Sequence, residues 1–443
     1  MHYRRAFLAP LAAAVSLLGG LAQAQSLLDL YQSARGFDAS YKAIEYQAQA
    51  NAFKAEQAAA GLRPSAALSA GVNRVHIESD VSAFDRGGYG NQGVTVSANQ
   101  PLFRPVNRAN AEQGRKIIDL SKAQLLAAEQ DLLVRVSQAY FDVMAAQDAL
   151  AFVQARKKAV TEQLAAAQRN FEVGTATITD TREAQALFDQ VVAQEIAAAN
   201  DLRVKSLALD QVTGRTGAHT LTLRTPITLP AISPADVNAW VERAQAEHPQ
   251  LRQAQIALEI AELESRKARA ADQPTLDLNG SYGITRNNGS SSTTLDYRTN
   301  VASVGLSLSY PLFAGYAIQN RIKEAAALED KARSDLEAAR RNIVQATRAA
   351  FFGVQSGLGQ VKALEAAVAS SQSALDATLL GYQVGVRINI DVLNAQTALF
   401  DTQTRLAKAR YDVLLGGLKL RQASGTLNPD DLKSVSTMLA PSQ

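Results

Sequence analysis

Two short breaks in the chain gather most of the polar side chains that the sequence places close together. Val173-Gly174 is followed by Thr179 and Asp180, while Tyr382 precedes Val384-Gly385, which is followed by Arg387, Asp391 and Asn394. A phenol, a guanidinium, a threonine hydroxyl, an amide and two carboxylates can form hydrogen bonds and ion pairs. They supply neither a nucleophile with its base nor a set of metal donors. The plainest role for Asp180 and Asp391 is local, because an acid in a helix's first turn complements the macrodipole by about 0.3–1 kcal/mol. Tyr382 taken alone reads as a packing residue of a coiled coil, and each Val-Gly pair as a helix-capping turn.

Catalysis has little to draw on elsewhere. None of the 443 residues is a cysteine, which excludes disulfides, thiolate metal sites and thiol nucleophiles. It also removes the lipid-accepting cysteine of a bacterial lipoprotein. Of the four histidines, His2 lies in the leader, His76 in a strand, His219 in the segment 215–233, and His248 before Pro249 at a helix start. None has a partner at metal-ligand or triad spacing. No Gly-x4-Gly-Lys-Ser/Thr segment for a nucleotide occurs. The expectation is a protein that is not an enzyme and that needs no cofactor and no metal.

The leader fixes the compartment. Arg4 and Arg5 precede an uncharged, mostly apolar run from Ala6 to Leu21, and Ala22-Gln23-Ala24 has the small-x-small form of a cleavage site. Residues 1–24 are therefore expected to be a signal peptide, too short to span a bilayer. The formal charge of +3 falls to +1 when the two arginines leave. Such a balance argues against nucleic acid as a partner.

The elements that position the two breaks come as a duplicate. Asn99-Gln100-Pro101-Leu102-Phe103 resembles Ser309-Tyr310-Pro311-Leu312-Phe313 at an offset of 210, as Pro64 does Pro274. Val173-Gly174 matches Val384-Gly385 at 211, and Asp180 matches Asp391 likewise, with Ala184-Gln185 and Ala395-Gln396, Gly214 and Gly425. Residues 25–233 form a first repeat: an opening helix 27–61, strands 66–79 and 92–102, a long helix 107–172, a helix 179–213 and the segment 215–233. Residues 234–428 form a second: an opening helix 234–271, strands 275–286 and 299–311, a long helix 320–383 and a helix 390–423. A C-terminal tail, 429–443, follows.

No proline falls between Pro105 and Pro226 or between Pro311 and Pro429, where strong helix formers dominate. Leu126, Leu133 and Tyr140 recur every seven residues, interleaved with Val136, Val143 and Leu150. That 3-4 seam winds a left-handed coiled coil. The long helices should each reach about 100 Å.

The strands alternate. Leu276, Leu278, Tyr282 and Ile284 oppose Asp277, Asn279, Ser281 and Thr285, and Val304, Leu306, Leu308 and Tyr310 alternate with Gly305, Ser307 and Ser309. Val94, Val96 and Ala98 oppose Thr95, Ser97 and Asn99, while the first strand, with Leu68, Ala70 and Val72 on one face, loses its alternation near Arg74. Apolar-out, polar-in strands of about ten residues mark an outer-membrane barrel; a soluble sandwich is the competing reading. The connections Ser79–Asn91 and Asn287–Arg298 are polar and rich in Gly and Ser, as exposed loops are. Four strands cannot close a barrel and open edges aggregate. Closure by cyclic symmetry, with three copies giving 12 strands, resolves both.

Phe171-Glu-Val-Gly174 with Ile178-Thr-Asp180, Gly381-Tyr-Gln-Val-Gly-Val-Arg387 with Asp391-Val-Leu, and the twin Pro-Leu-Phe strand ends resemble the TolC family of trimeric outer-membrane efflux and secretion channels. The resemblance covers essentially the whole mature chain. It implies an α+β membrane protein: a homotrimer whose 12-stranded outer-membrane β-barrel, four strands per protomer, continues into a 12-helix periplasmic α-barrel of coiled coils. A mixed equatorial domain would be built here from about 215–233 and the tail after Gly425.

The resemblance further implies a periplasmic gate in which Tyr382 bonds to Asp180 and Arg387 engages Thr179 or Asp180, across a subunit boundary or within one subunit. Asp391 would form an anionic entrance ring, and rings of acids make pores cation-preferring. Well-known members carry a second acid one turn later, where this chain has Asn394. Val173, Gly174, Val384 and Gly385 would be adaptor-docking turns. The implied function is the exit duct of a tripartite efflux pump or type I secretion system. Its implied partners are a periplasmic adaptor (a membrane fusion protein), an inner-membrane ABC or proton-driven transporter, and outer-membrane lipid. A structural envelope coiled coil or adhesin without a pore would share the heptads but has no need of duplicated amphipathic hairpins.

Overall fold

The computed structural model describes residues 26–78, 80, 88–217, 220–223, 227–290 and 293–440. The signal peptide assigned to 1–24, His219 and most of the loop 79–91 lie outside the described residues. Helices α1 (Leu27–Phe37) and α2 (Ala39–Ala60) lead into strands β1 (Ser65–Val75) and β2 (Tyr89–Phe103), then α3 (Pro105–Glu172), α4 (Ile178–Thr213) and the short β3 (Thr222–Leu223). The order repeats with α5 (Val237–Glu247), α6 (Pro249–Ala270), β4 (Thr275–Asn288), β5 (Asp296–Ser309), α7 (Ala317–Gln383) and α8 (Asn389–Ala423). The chain ends with α9 (Asp430–Ser436) and β6 (Leu439–Ala440).

The opening helix of each repeat is broken where one continuous rod was expected. Asp38 ends α1 and caps α2, its carboxylate accepting from the Tyr41 backbone N–H at 2.7 Å. His248 does the same for α6, whose first residue is Pro249; a proline there has no N–H to continue the preceding helix. The two breaks are 210 residues apart and so belong to the duplication. Arg135 clamps the first of them through paired bonds to Asp38 at 2.9 and 3.1 Å. That bidentate guanidinium holds the Asp38 carboxyl below the usual carboxylate range.

Helices α3 and α7 run for 68 and 67 residues, each about 100 Å at 1.5 Å per residue. α4 folds back along α3, and α8 along α7, while α8 also lies against α3. The largest core sits partway along these rods, where α1 and α9 wrap them: Leu27, Leu30, Leu132, Tyr140, Phe141, Leu418 and Leu432 are all essentially sealed. There β3 pairs with β6, so the segment 215–233 and the tail meet at this level. The Gln130 amide donates to the carbonyls of Gly425 and Leu427, tying the tail down. Burial pushes the Tyr140 phenol up to about 12; its oxygen accepts from the Leu221 N–H at 2.9 Å.

The four long strands form one antiparallel sheet in the order β1-β2-β4-β5. One row across it reads Leu68, Val96, Tyr282, Ala302, and another reads Ser65, Asn99, Asn279, Gly305. The apolar rows are open to solvent in the isolated chain, with Leu68, Val304 and Leu308 each more than two-thirds exposed. The opposite face is small and polar, and its side chains bond to each other: Asn99 to Asn279 at 2.6 Å, Ser281 to Ser303 at 2.8 Å. Exposed Tyr310, Phe313 and Tyr316 follow at the helix end of the sheet. A greasy face bounded by aromatics suits a lipid interface.

Strand limits differ from expectation at the far end. The β1–β2 ladder runs unbroken through Arg74↔Gly90, although side-chain alternation fades there, because backbone pairing with β2 sets the register. β2 and β5 each start three residues earlier than the alternation indicated, at Tyr89 and Asp296. Among the described residues no helix is long and apolar enough to cross a membrane.

Candidate functional site at the periplasmic end of the coils

The two helix reversals are built alike. Val173 N–H bonds to Arg169 O at 3.1 Å and Gly174 N–H to Phe171 O at 3.0 Å; Val384 and Gly385 repeat this on Leu380 and Tyr382 at 3.1 Å each. Gly174 and Gly385 have φ of +78° and +82°, with open space where a Cβ would stand. Glycine is needed there for the left-handed backbone and not for room. Around these turns Val173, Val384, Val386 and Ile388 stay exposed, Val386 at 76%.

The caps that follow differ, and the difference decides what each aspartate can do. Asp180 closes a capping box: its carboxylate accepts from the Thr177 N–H at 2.8 Å and hydroxyl at 2.7 Å, while Thr177 Oγ1 accepts from the Asp180 N–H. In the second repeat the capping position is Ile388, which has no side-chain acceptor. Asp391 is therefore released from capping and lies 3.6 Å from the Arg387 guanidinium. The Arg387 stem folds over Gly381, where a Cβ would come within 2.7 Å of its Cγ.

These contacts correct the expected links within the protomer. The Tyr382 hydroxyl accepts from the Asn170 amide at 3.3 Å and does not meet Asp180, which is occupied by Thr177. Arg387 holds Asp391 on its own helix pair and reaches neither Thr179 nor Asp180 in the same chain. Beside the Asn170–Tyr382 bond, Asn389 connects the two coiled coils at this level. Its side chain is buried, accepts from the Gln163 amide, and donates to the Asp180 backbone carbonyl at 3.5 Å. Asn170, Gln163 and Asn389 were not singled out by the sequence reading. A signal was available for one of them: Asn389 is a lone amide between Ile388 and Ile390 at a helix start, where an apolar residue would otherwise pack.

α8 is pinned from two sides. Val392 packs with Leu375 and Leu399, with Tyr382 beside them, and Leu393 packs with Val160, Leu164, Ala184 and Val191 of the other coil. With residues 392 and 393 committed, Asp391 and Asn394 fall on the stripe left uncovered, Asp391 half-buried and Asn394 exposed. The same stripe continues through Asp401 and Arg405. Higher up, Arg156 is 6% exposed and crosses from α3 to both neighbours, donating to Gln194 at 3.1 Å and Thr397 at 3.0 Å. Burial raises the Asp148 carboxyl, which accepts from the Tyr411 hydroxyl at 2.6 Å. Among the described residues no cluster of three His, Asp or Glu side chains is placed to hold a metal ion.

A duplicated chain with a lipid-facing sheet at one end of 100 Å coiled coils, and polar reversals at the other, is the protomer of an outer-membrane channel. Comparison with known proteins gives the family. The model of the family described as outer membrane efflux protein matches residues 30–215 and 240–426. The outer membrane protein TolC of Vibrio cholerae serotype O1 is 33% identical over 433 residues, covering 96% of this chain and 97% of that one. The alkaline protease secretion protein AprF of Pseudomonas aeruginosa is 32% identical over 422 residues, covering 93% and 87%. The fold matches the crystal structure of the Campylobacter jejuni CmeC outer membrane channel with a TM-score of 0.80 at 15% identity, covering 94% of this chain and 90% of that chain. The chain belongs to the outer membrane efflux protein family, a family of channel proteins. It is an outer-membrane exit duct of the kind used in efflux and secretion.

Proposed function

We propose that three copies of this chain close into one conduit, gated at its periplasmic end and completed by an adaptor and an inner-membrane transporter. The observation that carries this reading is the sheet: four strands, apolar on one face and polar on the other, with β1 and β5 left unpaired at its edges. Such edges template aggregation unless another chain completes them. Joining β5 of one copy to β1 of the next closes a barrel with a polar lumen at 12 strands. The four long helices of each copy then stand in a ring of twelve. Detergent-extracted protein should have three times the protomer mass by light scattering and show a hollow cylinder by electron microscopy. A water-soluble monomer would refute the assembly.

In that conduit Thr179, Asp180, Tyr382 and Arg387 are assigned to the periplasmic gate, Asp391 and Asn394 to its entrance ring. The exposed valines beside Gly174 and Gly385 are the surface for a membrane fusion protein, because apolar side chains on a reversal need cover. Energy would come from an ABC or proton-driven transporter in the inner membrane. Replacing Val384 and Val386 by Asp should weaken capture of the adaptor at least tenfold in a pull-down while the trimer mass is unchanged. Undiminished capture would move the docking surface elsewhere.

A further inference from the structure

Two arginines stand directly opposite each other on the outward face of the sheet, at the end away from the helices. Arg286 of β4 and Arg298 of β5 are ladder partners, so their Cα atoms are about 5 Å apart. Both are exposed, and both lie on the face that carries Leu278, Tyr282 and Ile284. Arg74 of β1 occupies the next row outward on the same face. Like charges directly opposite on neighbouring strands are unfavourable unless something neutralises them. Neither Arg286 nor Arg298 has an ion-pair partner among the described residues. Arg298 donates to the amide of Asn300 at 3.2 Å, and Asp296 is the acid nearest in sequence on that face.

The arginines border a shallow hollow of about 430 Å³ whose floor is Ala70, Val72, Val94 and Ile284. An apolar floor with a cationic rim matches an amphiphile with an anionic head. Its position fixes which one. The apolar rows are bounded at the helix end by Tyr310, Phe313 and Tyr316 and at the far end by these arginines, so the hollow lies at the headgroup level of the outer leaflet. Gln92, Asn288 and Asn300 share the face and offer amides for hydroxyl groups.

We propose that Arg286 and Arg298 form a binding site for the phosphate of a phosphorylated glycolipid in the outer leaflet, with acyl chains lying over Val94 and Ile284. Guanidinium pairs suit phosphate through paired N–H donors, and basic sites at membrane level recognise lipid headgroups. The site lies within one protomer. It does not depend on the number of copies, although barrel closure would set a neighbouring Arg74 on the strand beside Arg298.

The test is native mass spectrometry of the purified full-length protein with bisphosphorylated lipid A, its dephosphorylated form, or phosphatidylglycerol. The glycolipid with phosphates should be retained, and the form without them should bind at least tenfold more weakly. Arg286→Gln with Arg298→Gln should lose the same factor, Arg286→Lys with Arg298→Lys should fall between the parent and the Gln variant because it keeps the charge and loses the paired donors, and Arg63→Gln, at the other end of the sheet, should match the parent. Equal retention of the dephosphorylated lipid, or undiminished binding by the double Gln variant, overturns the site. Phosphatidylglycerol binding as tightly as lipid A overturns the glycolipid assignment. The same spectra report the assembly's mass, so a failure of the trimer is seen separately from a failure of the lipid site. If the Gln variant does not assemble, the two lipid A forms on the parent protein still decide.

Discussion

Tyr382→Phe combined with Asn389→Ala is expected to raise single-channel conductance in planar bilayers several-fold. The two substitutions remove the side-chain bonds that tie α7 and α8 to α3 and α4 at the reversal: Asn170 to Tyr382, Gln163 to Asn389, and Asn389 to the Asp180 carbonyl. Each is a neutral hydrogen bond, worth about 0.5–1.5 kcal/mol net. Three bonds in each of three protomers total about 5–14 kcal/mol. Reversing a 1:99 equilibrium takes about 5.5 kcal/mol, so the set is large enough to hold a gate shut and small enough for a docking partner to release. Arg387→Ser serves as the comparator. Among the described residues of one chain Arg387 pairs with Asp391, inside the α7–α8 pair, so this substitution alone should raise conductance less than the Tyr382/Asn389 pair does. A several-fold rise from Arg387→Ser would place that link across the subunit boundary. Unchanged conductance in the Tyr382/Asn389 variant would remove these contacts from the gate.

The pattern of what could be read from the chain follows from the range of the forces involved. The coils were legible because heptad spacing and proline exclusion act over tens of residues, so small local conflicts average out. The sheet was legible for a related reason: lipid on one face and water on the other impose alternation on every strand. The break at Asp38 was missed because a single capping residue decides it, and the opening helix 234–271 was drawn through His248 although a helix start was read at Pro249. Pro249 announced the second break, whereas Asp38 had only a carboxylate three residues before Tyr41. At the reversals the residue types were identified, yet the partners were not. Which hydroxyl meets which amide depends on the rotation of one coil against the other, and hence on distant packing such as Leu393 among Val160, Leu164 and Val191. Resemblance to a family does not carry that detail across. Arg286 and Arg298 stand out on a mainly apolar face only once the ladder places them opposite each other.

One difference between the two repeats changes how the aspartate at each reversal is held. Thr177 and Ile388 are equivalent residues, offset by 211. Threonine binds Asp180 into a capping box, which neutralises its use as a free charge. Isoleucine at 388 forgoes the cap, at about 1 kcal/mol of helix stability, and leaves the Asp391 carboxylate to the Arg387 guanidinium at 3.6 Å. One copy of the duplicated helix pair is thereby stabilised and the other equipped with an anionic group.

That freed carboxylate makes Asn394→Asp the most sensitive probe of the entrance. Asp391 and Asn394 share the uncovered stripe of α8, one helical turn apart. In a threefold assembly the substitution adds three charges beside three existing ones. A trivalent cation about 6 Å from a carboxylate gains about 2 kcal/mol in bulk-water dielectric, and screening by salt at physiological strength removes about half of it. Three added carboxylates should then tighten block by a trivalent cation about a hundredfold, read as the block constant in planar bilayers at fixed voltage. Arg387→Ser should strengthen block by itself, because it removes the cation now lying 3.6 Å from Asp391. Block constants that are equal in Asn394→Asp and the parent would mean that this stripe of α8 does not face the conduit. The entrance would then have to be lined by a different face of the coils.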